Sequence, residues 1–67
     1  MEITKELVEQ MEAVRDDGRC NMLDRSCVVR VAAEKGFVEL ASLTPGEYAV
    51  LCGYAWEHGY DTEVLDA

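Results

Sequence analysis

"CVVRVAAEKG", Cys27 to Gly36, is the stretch that decides the fold class. Its three valines suit a strand, because β-branched side chains are enriched on pleated surfaces. Its second half argues the other way. Ala32, Ala33, Glu34 and Lys35 are good helix formers, and Gly36 stands where a left-handed residue commonly ends a helix. The glycine stop and the run "AAEK" favour helix. Ahead of it, Asn21 and Asp24 each offer a side-chain oxygen to the free N–H groups of a first turn. The stretch therefore reads as a helix from Asp24 to Lys35, with Phe37 folding back on its last turn.

This helix is apolar on most sides: Cys27, Val28, Val29, Val31, Ala32 and Ala33 run nearly all the way round. Such a helix must be covered on most sides, and two further short helices offer limited cover. A second copy of the chain is the expected remedy. Val28, Val29, Val31 and Ala32, with Leu51 and Trp56 from a later helix, are the expected seam of a homodimer.

Working outward, residues 4–17 read as a first helix. Ile3, Leu7, Val8, Met11 and Val14 form one stripe at helical spacing. Thr4 can cap its start and Gly18 can end it. Glu2, Glu6, Glu9 and Glu12 lie mostly on the opposite face, with Lys5–Glu9 and Glu12–Arg15 close enough to pair. On the other side, "FVELASL" (residues 37–43) reads as a helical turn or two. "TPGE" follows: Thr44 as N-cap, Pro45 at the first helical position, and Glu47 three residues after the cap. A last helix is expected from Pro45 to about His58, stopped by Gly59, with Tyr48, Leu51, Cys52, Ala55 and Trp56 on one face. Residues 60–67 are an acidic tail expected to fray. The expectation is an all-α chain, a single domain over residues 1–67 with three to four helices, dimeric through the second.

Length and charge constrain what such a chain can do. Sixty-seven residues bury only roughly 60% of the surface the unfolded chain exposes. With 49% apolar residues, some apolar surface is expected at an interface. The formal charge is −8. It is −4 over residues 1–18, +2 over 19–38, where Arg19, Arg25, Arg30 and Lys35 sit, and −6 over 39–67. A surface this negative argues against nucleic acid as a partner. The basic middle is expected to lie against an acidic flank. There is no apolar leader and no run long enough to span a membrane, so a cytoplasmic protein is expected. A reducing cytosol would keep Cys20, Cys27 and Cys52 as thiols.

The segment "RDDGRCNMLDRSCVVRVAAEKGFVEL", Arg15 to Leu40, resembles an uncharacterised family of very short bacteriophage and prophage proteins, a domain of unknown function. The pattern is R-D-x-G-x-x-N-M-[FL]-D followed by G-F-x-E-L. It is carried here by Arg15, Asp16, Gly18, Asn21, Met22, Leu23, Asp24, Val28, Arg30, Val31, Ala32, Gly36, Phe37, Glu39 and Leu40. The chain departs after Leu40, where "ASLTPGE" interrupts the longer acidic helix of the family. The resemblance implies a phage or prophage origin, in a bacterial host cell, and no particular activity. Read from the residues, the segment Arg15–Cys27 is a turn between two helices. Gly18 gives the bend, Asn21 and Asp24 cap, Met22 and Leu23 enter the core, and Arg15 and Arg19 reach nearby acids.

Candidate chemistry is sparse. Cys20, Cys27, Cys52 and His58 are the right kinds of zinc ligand, but gaps of six and five residues are not the close pairs of structural sites. Calcium lacks its ligand pattern. One histidine, with no serine elbow and no phosphate loop, gives little ground for catalysis. His58 at a helix C-terminus suits the dipole as a cation. A helix-turn-helix over Val28–Trp56 lacks bases at the start of its last helix. No cofactor and no enzymatic activity are expected. Tyr48, Trp56 and Tyr60, with Tyr54 nearby, are either core or contact surface.

The expectation is an acidic protein-binding module, a stoichiometric inhibitor of a host defence protein with a basic surface. Glu2, Glu6, Glu9, Glu12, Asp61, Glu63 and Asp66 are the contact candidates. The alternatives are a phage or host regulatory or assembly accessory factor and a small helix-turn-helix DNA-binding protein.

Overall fold

The structure, a computed structural model, describes residues 1–66 and the side chains of residues 1–65. Four α-helices run in order: α1 (Lys5–Asp17), α2 (Arg25–Glu34), α3 (Val38–Ala41) and α4 (Pro45–His58). A 3₁₀ turn covers Glu63–Asp66 in the acidic tail. There is no strand among the described residues.

Local chemistry sets most boundaries. Thr4 Oγ1 accepts from the Leu7 N–H at 3.1 Å and starts α1. Gly18, at φ 83°, closes it with its N–H on Arg15 O. Asp24 caps α2 by accepting from the Cys27 N–H at 3.3 Å. At the far end of α2 the chain makes a full Schellman turn. Gly36 sits at φ 77°. Its N–H bonds Ala33 O at 3.1 Å and the Phe37 N–H bonds Ala32 O at 2.8 Å, satisfying carbonyls that the helix end would orphan. The reciprocal box at α4 is complete: Glu47 N–H to Thr44 Oγ1 at 3.2 Å, and Thr44 N–H to Glu47 Oε1 at 2.9 Å. The Thr44 N–H, and then the Thr44 hydroxyl, hold the Glu47 carboxyl below its ordinary pKa.

One core joins all four helices. Leu7, Val8, Met11 and Val14 come from α1, Val28, Val31 and Ala32 from α2, and Leu40 from α3. Leu43 follows, then Tyr48, Leu51 and Ala55 from α4. No buried side-chain polar atom among the described residues lacks a partner.

This core corrects the expected dimer seam. Val28, Val31, Ala32 and Leu51 are 0–1% exposed within a single chain, so they have no face to offer a second copy. Val29 is half-buried and Ala33 lies in solvent. The reason is size: valine and alanine give α2 a narrow body. The Schellman turn then folds Phe37 and Leu40 back onto it. A ten-residue helix whose apolar side chains are all small needs less cover than its hydropathy suggests. Leu23 is a second correction. It was expected in the core and is 85% exposed, while its neighbour Met22 packs half-buried against the core.

Candidate functional site

The most unusual surface of the molecule lies between the α1–α2 connection and α4. Two adjoining depressions meet there, of about 140 and 360 Å³, sharing Leu23 and Cys52. Met11, Met22, Ala55, Trp56 and Tyr60 complete the smaller; Arg25, Pro45, Tyr48 and Ala49 complete the larger. Together they form one apolar groove. Leu23 and Trp56 stand on it at 85% and 93% exposure.

Each wall has a structural reason. On α4, Tyr48, Leu51 and Ala55 point into the core and Cys52 sits half-buried. Trp56 falls one step round the helix from that stripe, where no other element reaches it. The facing wall is the connection between α1 and α2. Asn21 Oδ1 accepts from the Leu23 N–H at 2.9 Å, and the Asp24 N–H bonds Asn21 O at 2.8 Å. This tight turn throws Leu23 outward. The Tyr48 hydroxyl donates to Met22 O at 2.6 Å, and the Cys52 thiol approaches the same carbonyl at 4.0 Å. The connection is therefore pinned to α4 at a single carbonyl.

A covalent link crosses the same connection. Cys20 and Cys27 form a disulfide, with Cα atoms 5.7 Å apart, well within the span such bonds need. Here the expectation of three thiols fails. The Gly18 bend and the first turn of α2 bring the two cysteines together, and a compartment argument could not show that. Cys52 alone is free.

The titratable groups that line the inner side of the groove are shifted by burial. Burial pushes the Tyr48 phenol well above its usual range and raises Tyr60 and Cys52 too. A thiol so placed stays protonated and is a poor nucleophile. The Arg25 Nη2 donates to Leu43 O at 2.6 Å, holding the connection between α3 and α4. At the outer edge, the Arg15 guanidinium lies 4.3 Å from the centre of the Tyr60 ring. Arg15 also pairs with Asp16 at 3.2 Å and Glu12 at 3.8 Å. The rim near Tyr60 thus carries the acids Glu12 and Asp16.

The other sequence candidates are scattered. Glu2, Glu6 and Glu9 are exposed along the N-terminal segment and α1, and none lines the groove. Asp61 accepts from the Glu63 N–H at 2.9 Å and shapes the 3₁₀ turn; Glu63 is exposed. The Asp66 side chain lies outside the described residues. The zinc candidates do not meet: Cys20 and Cys27 are bonded to each other, and His58 rests against Tyr54, centroid to centroid 4.4 Å. Among the described residues no three His, Cys, Asp or Glu side chains converge as metal ligands.

The basic middle does meet an acidic flank. Asp17 takes Arg19 Nε at 2.6 Å and Lys35 Nζ at 3.0 Å, while Arg19 Nη1 reaches Glu34 at 2.7 Å. Hydrogen bonds from Arg19, then Lys35, lower the Asp17 carboxyl to a pKa of about 2. This cluster ties the end of α1 to the end of α2.

Of the motif residues, Gly18 and Gly36 take left-handed conformations, Asn21 and Asp24 make the turn and the cap, and Arg30 is exposed. Sequence reasoning missed Leu23 as a surface residue, and it named Trp56 as a contact residue of a dimer seam rather than as a wall of this groove. The aromatic set Tyr48, Trp56 and Tyr60 was the available signal, and it is divided: Tyr48 is core, Tyr60 is half-buried, Trp56 is open.

Fold and groove together define a small all-α domain with an open apolar groove. The chain belongs to the family described as domain of unknown function (DUF5049), whose model matches residues 3–50. The matched span holds α1 to α3 and the start of α4; the wall from Cys52 to Tyr60 lies beyond it. No curated protein and no solved structure matches the chain significantly. No helix among the described residues is long and apolar enough to cross a membrane.

Proposed function

We propose that this chain is a protein-binding module that acts by occupying a partner's surface. The observation that carries it is the joint exposure of Leu23 and Trp56, 85% and 93%, on one groove. Burying a tryptophan's roughly 200 Å² at about 25 cal/mol/Å² is worth on the order of 5 kcal/mol before costs. That is comparable to the whole stability of a domain this small, about 3–5 kcal/mol. A side chain of that worth left in water is well placed as a binding anchor.

Charge selects the occupant. The chain carries −8, and the groove's edge by Tyr60 holds two acids, Glu12 and Asp16, against one base, Arg15. A second copy would bring the same charge against it. The groove is therefore assigned to a different protein: one with a basic surface and an apolar patch to receive Leu23 and Trp56. This shifts the contact from the acidic face of α1 to the groove, with Glu6, Glu9 and Glu12 as steering charges. The motif from Arg15 to Leu40 supports a phage or prophage origin. A bacterial cytoplasm is then the setting, and stoichiometric inhibition of a host protein is the role.

The test compares capture by the wild-type chain, a Leu23→Ser/Trp56→Ala variant and a Glu6→Lys/Glu9→Lys/Glu12→Lys variant, in host lysate at low and high salt. The expected result is a basic protein held by the wild type, lost with the groove variant, and weakened by salt and by charge reversal. A groove variant that retains every interactor would overturn the reading. So would sedimentation showing that Leu23 and Trp56 join two copies.

A further inference from the structure

We infer that the Cys20–Cys27 disulfide is a redox latch on the groove. The inference concerns regulation of the proposed binding surface and rests on that reading for its consequence, though not for its chemistry. The bond joins cysteines seven positions apart, and Leu23 lies inside the ring they close. Everything that aims Leu23 is in or against this ring. The Asn21 side chain holds the Leu23 N–H, the Asn21 carbonyl holds the Asp24 N–H, and Met22 O takes the Tyr48 hydroxyl. The ring also borders α2 at its first turn, where Asp24 bonds the Cys27 N–H. Both cysteines are half-buried and pack against the edge of the core, and neither belongs to its fully buried set. Opening the bond removes the covalent constraint on the groove wall, which is then held by the Asn21, Asp24 and Tyr48 hydrogen bonds alone, while the core residues stay enclosed.

The chemistry is ordinary thiol–disulfide exchange with a dithiol reductant. A thiolate of the reductant attacks one sulfur, the Cys20–Cys27 bond breaks, and a mixed disulfide forms. The second thiol of the reductant resolves it as a cyclic disulfide. Two electrons and two protons pass to the protein, which ends with two thiols. In a reducing cytosol the latch is open and Leu23 is loosely held. Under oxidation it closes and the groove is preorganised, which lowers the ordering cost of docking.

The test uses the full chain at about 15 °C, near the temperature of greatest stability for typical domains. Oxidised protein, dithiothreitol-reduced protein and a Cys20→Ala/Cys27→Ala variant are compared by amide hydrogen exchange, far-ultraviolet circular dichroism and binding of Nile red, a neutral apolar dye. The expected result for both opened forms is retained helix, amide protection at Leu23, Asp24 and Cys27 lower by about tenfold, and weaker dye binding. Unchanged protection in the opened forms would overturn the latch. Loss of helix throughout would overturn it as well, because the bond would then be a staple for the whole fold. A Trp56→Ala variant of the oxidised protein separates the two readings. If its dye binding is unchanged, the groove reading fails, while exchange at Leu23, Asp24 and Cys27 still judges the latch.

Discussion

α2 and α4 are both rich in apolar residues, yet they end up in opposite situations. α2 is built from valine and alanine, and its apolar face disappears into the chain: Val28, Val31 and Ala32 are 0–1% exposed. α4 is built from larger side chains and is split. Tyr48, Leu51 and Ala55 are enclosed, while Val50 and Trp56 are open at 53% and 93%. Apolar content alone therefore does not locate a contact surface. What matters is side-chain length against the reach of the neighbouring elements. A narrow helix at the centre is easily surrounded, and a wide helix at the edge is not.

The comparison can be broken most decisively at Val28. Val28→Asp places an unpaired charge in the enclosed core and should cost more than about 4 kcal/mol, enough to unfold the chain. A folded variant by circular dichroism would mean that α2 is open after all. On the enclosed side of α4, Leu51→Ala should cost about 2–5 kcal/mol by urea denaturation, read at low temperature because the margin is small. Opening the Cys20–Cys27 ring should cost about 2–3 kcal/mol from the chain entropy of so short a loop, measured as a lowered urea midpoint. At the start of α4, Thr44→Ala removes one half of the capping box and should cost about 1 kcal/mol. Trp56→Ala sits on the open side and should change stability by no more than about 0.5 kcal/mol. A large loss there would show that the tryptophan packs against something.

A pH titration sharpens the picture at the other end of α2. Asp17 has a folded pKa of about 2 against an ordinary value of 3.8. A depressed carboxyl contributes stability that is present above the ordinary value and is lost as pH falls through the folded one. The contribution should therefore fade between about pH 4 and pH 2. Asp17→Asn should flatten that part of the acid-denaturation curve. The cluster is solvent-exposed, so the effect is small and shrinks with salt.

The same contrast explains what could be read beforehand. Thr44, Pro45 and Glu47 specify a helix start through bonds made within four residues. Gly18 and Gly36 specify helix ends by a conformation other residues avoid. These local rules placed the helix boundaries to within a residue or so, and the apolar spacing of Leu7, Val8, Met11 and Val14 named the core face of α1. The groove was not legible in that way. Whether Trp56 is covered depends on where the α1–α2 connection lies, and that depends on Tyr48 reaching Met22, twenty-six positions away. The Cys20–Cys27 bond was hidden for another reason. Compartment and an odd count argued for thiols, while the bend at Gly18 that brings the two sulfurs together is a matter of geometry. The acidic residues and their helix face were visible, but that Glu2, Glu6 and Glu9 lie away from the groove was not.

Trp56 is the only tryptophan in the chain, and its near-complete exposure has a practical consequence. Its indole is already surrounded by water in the native state, so its fluorescence should scarcely change when the chain unfolds. Docking is the event that would strip that water away and shift the emission to shorter wavelength. The molecule thus carries a built-in optical probe that is nearly blind to denaturation and sensitive to capture, with no label needed.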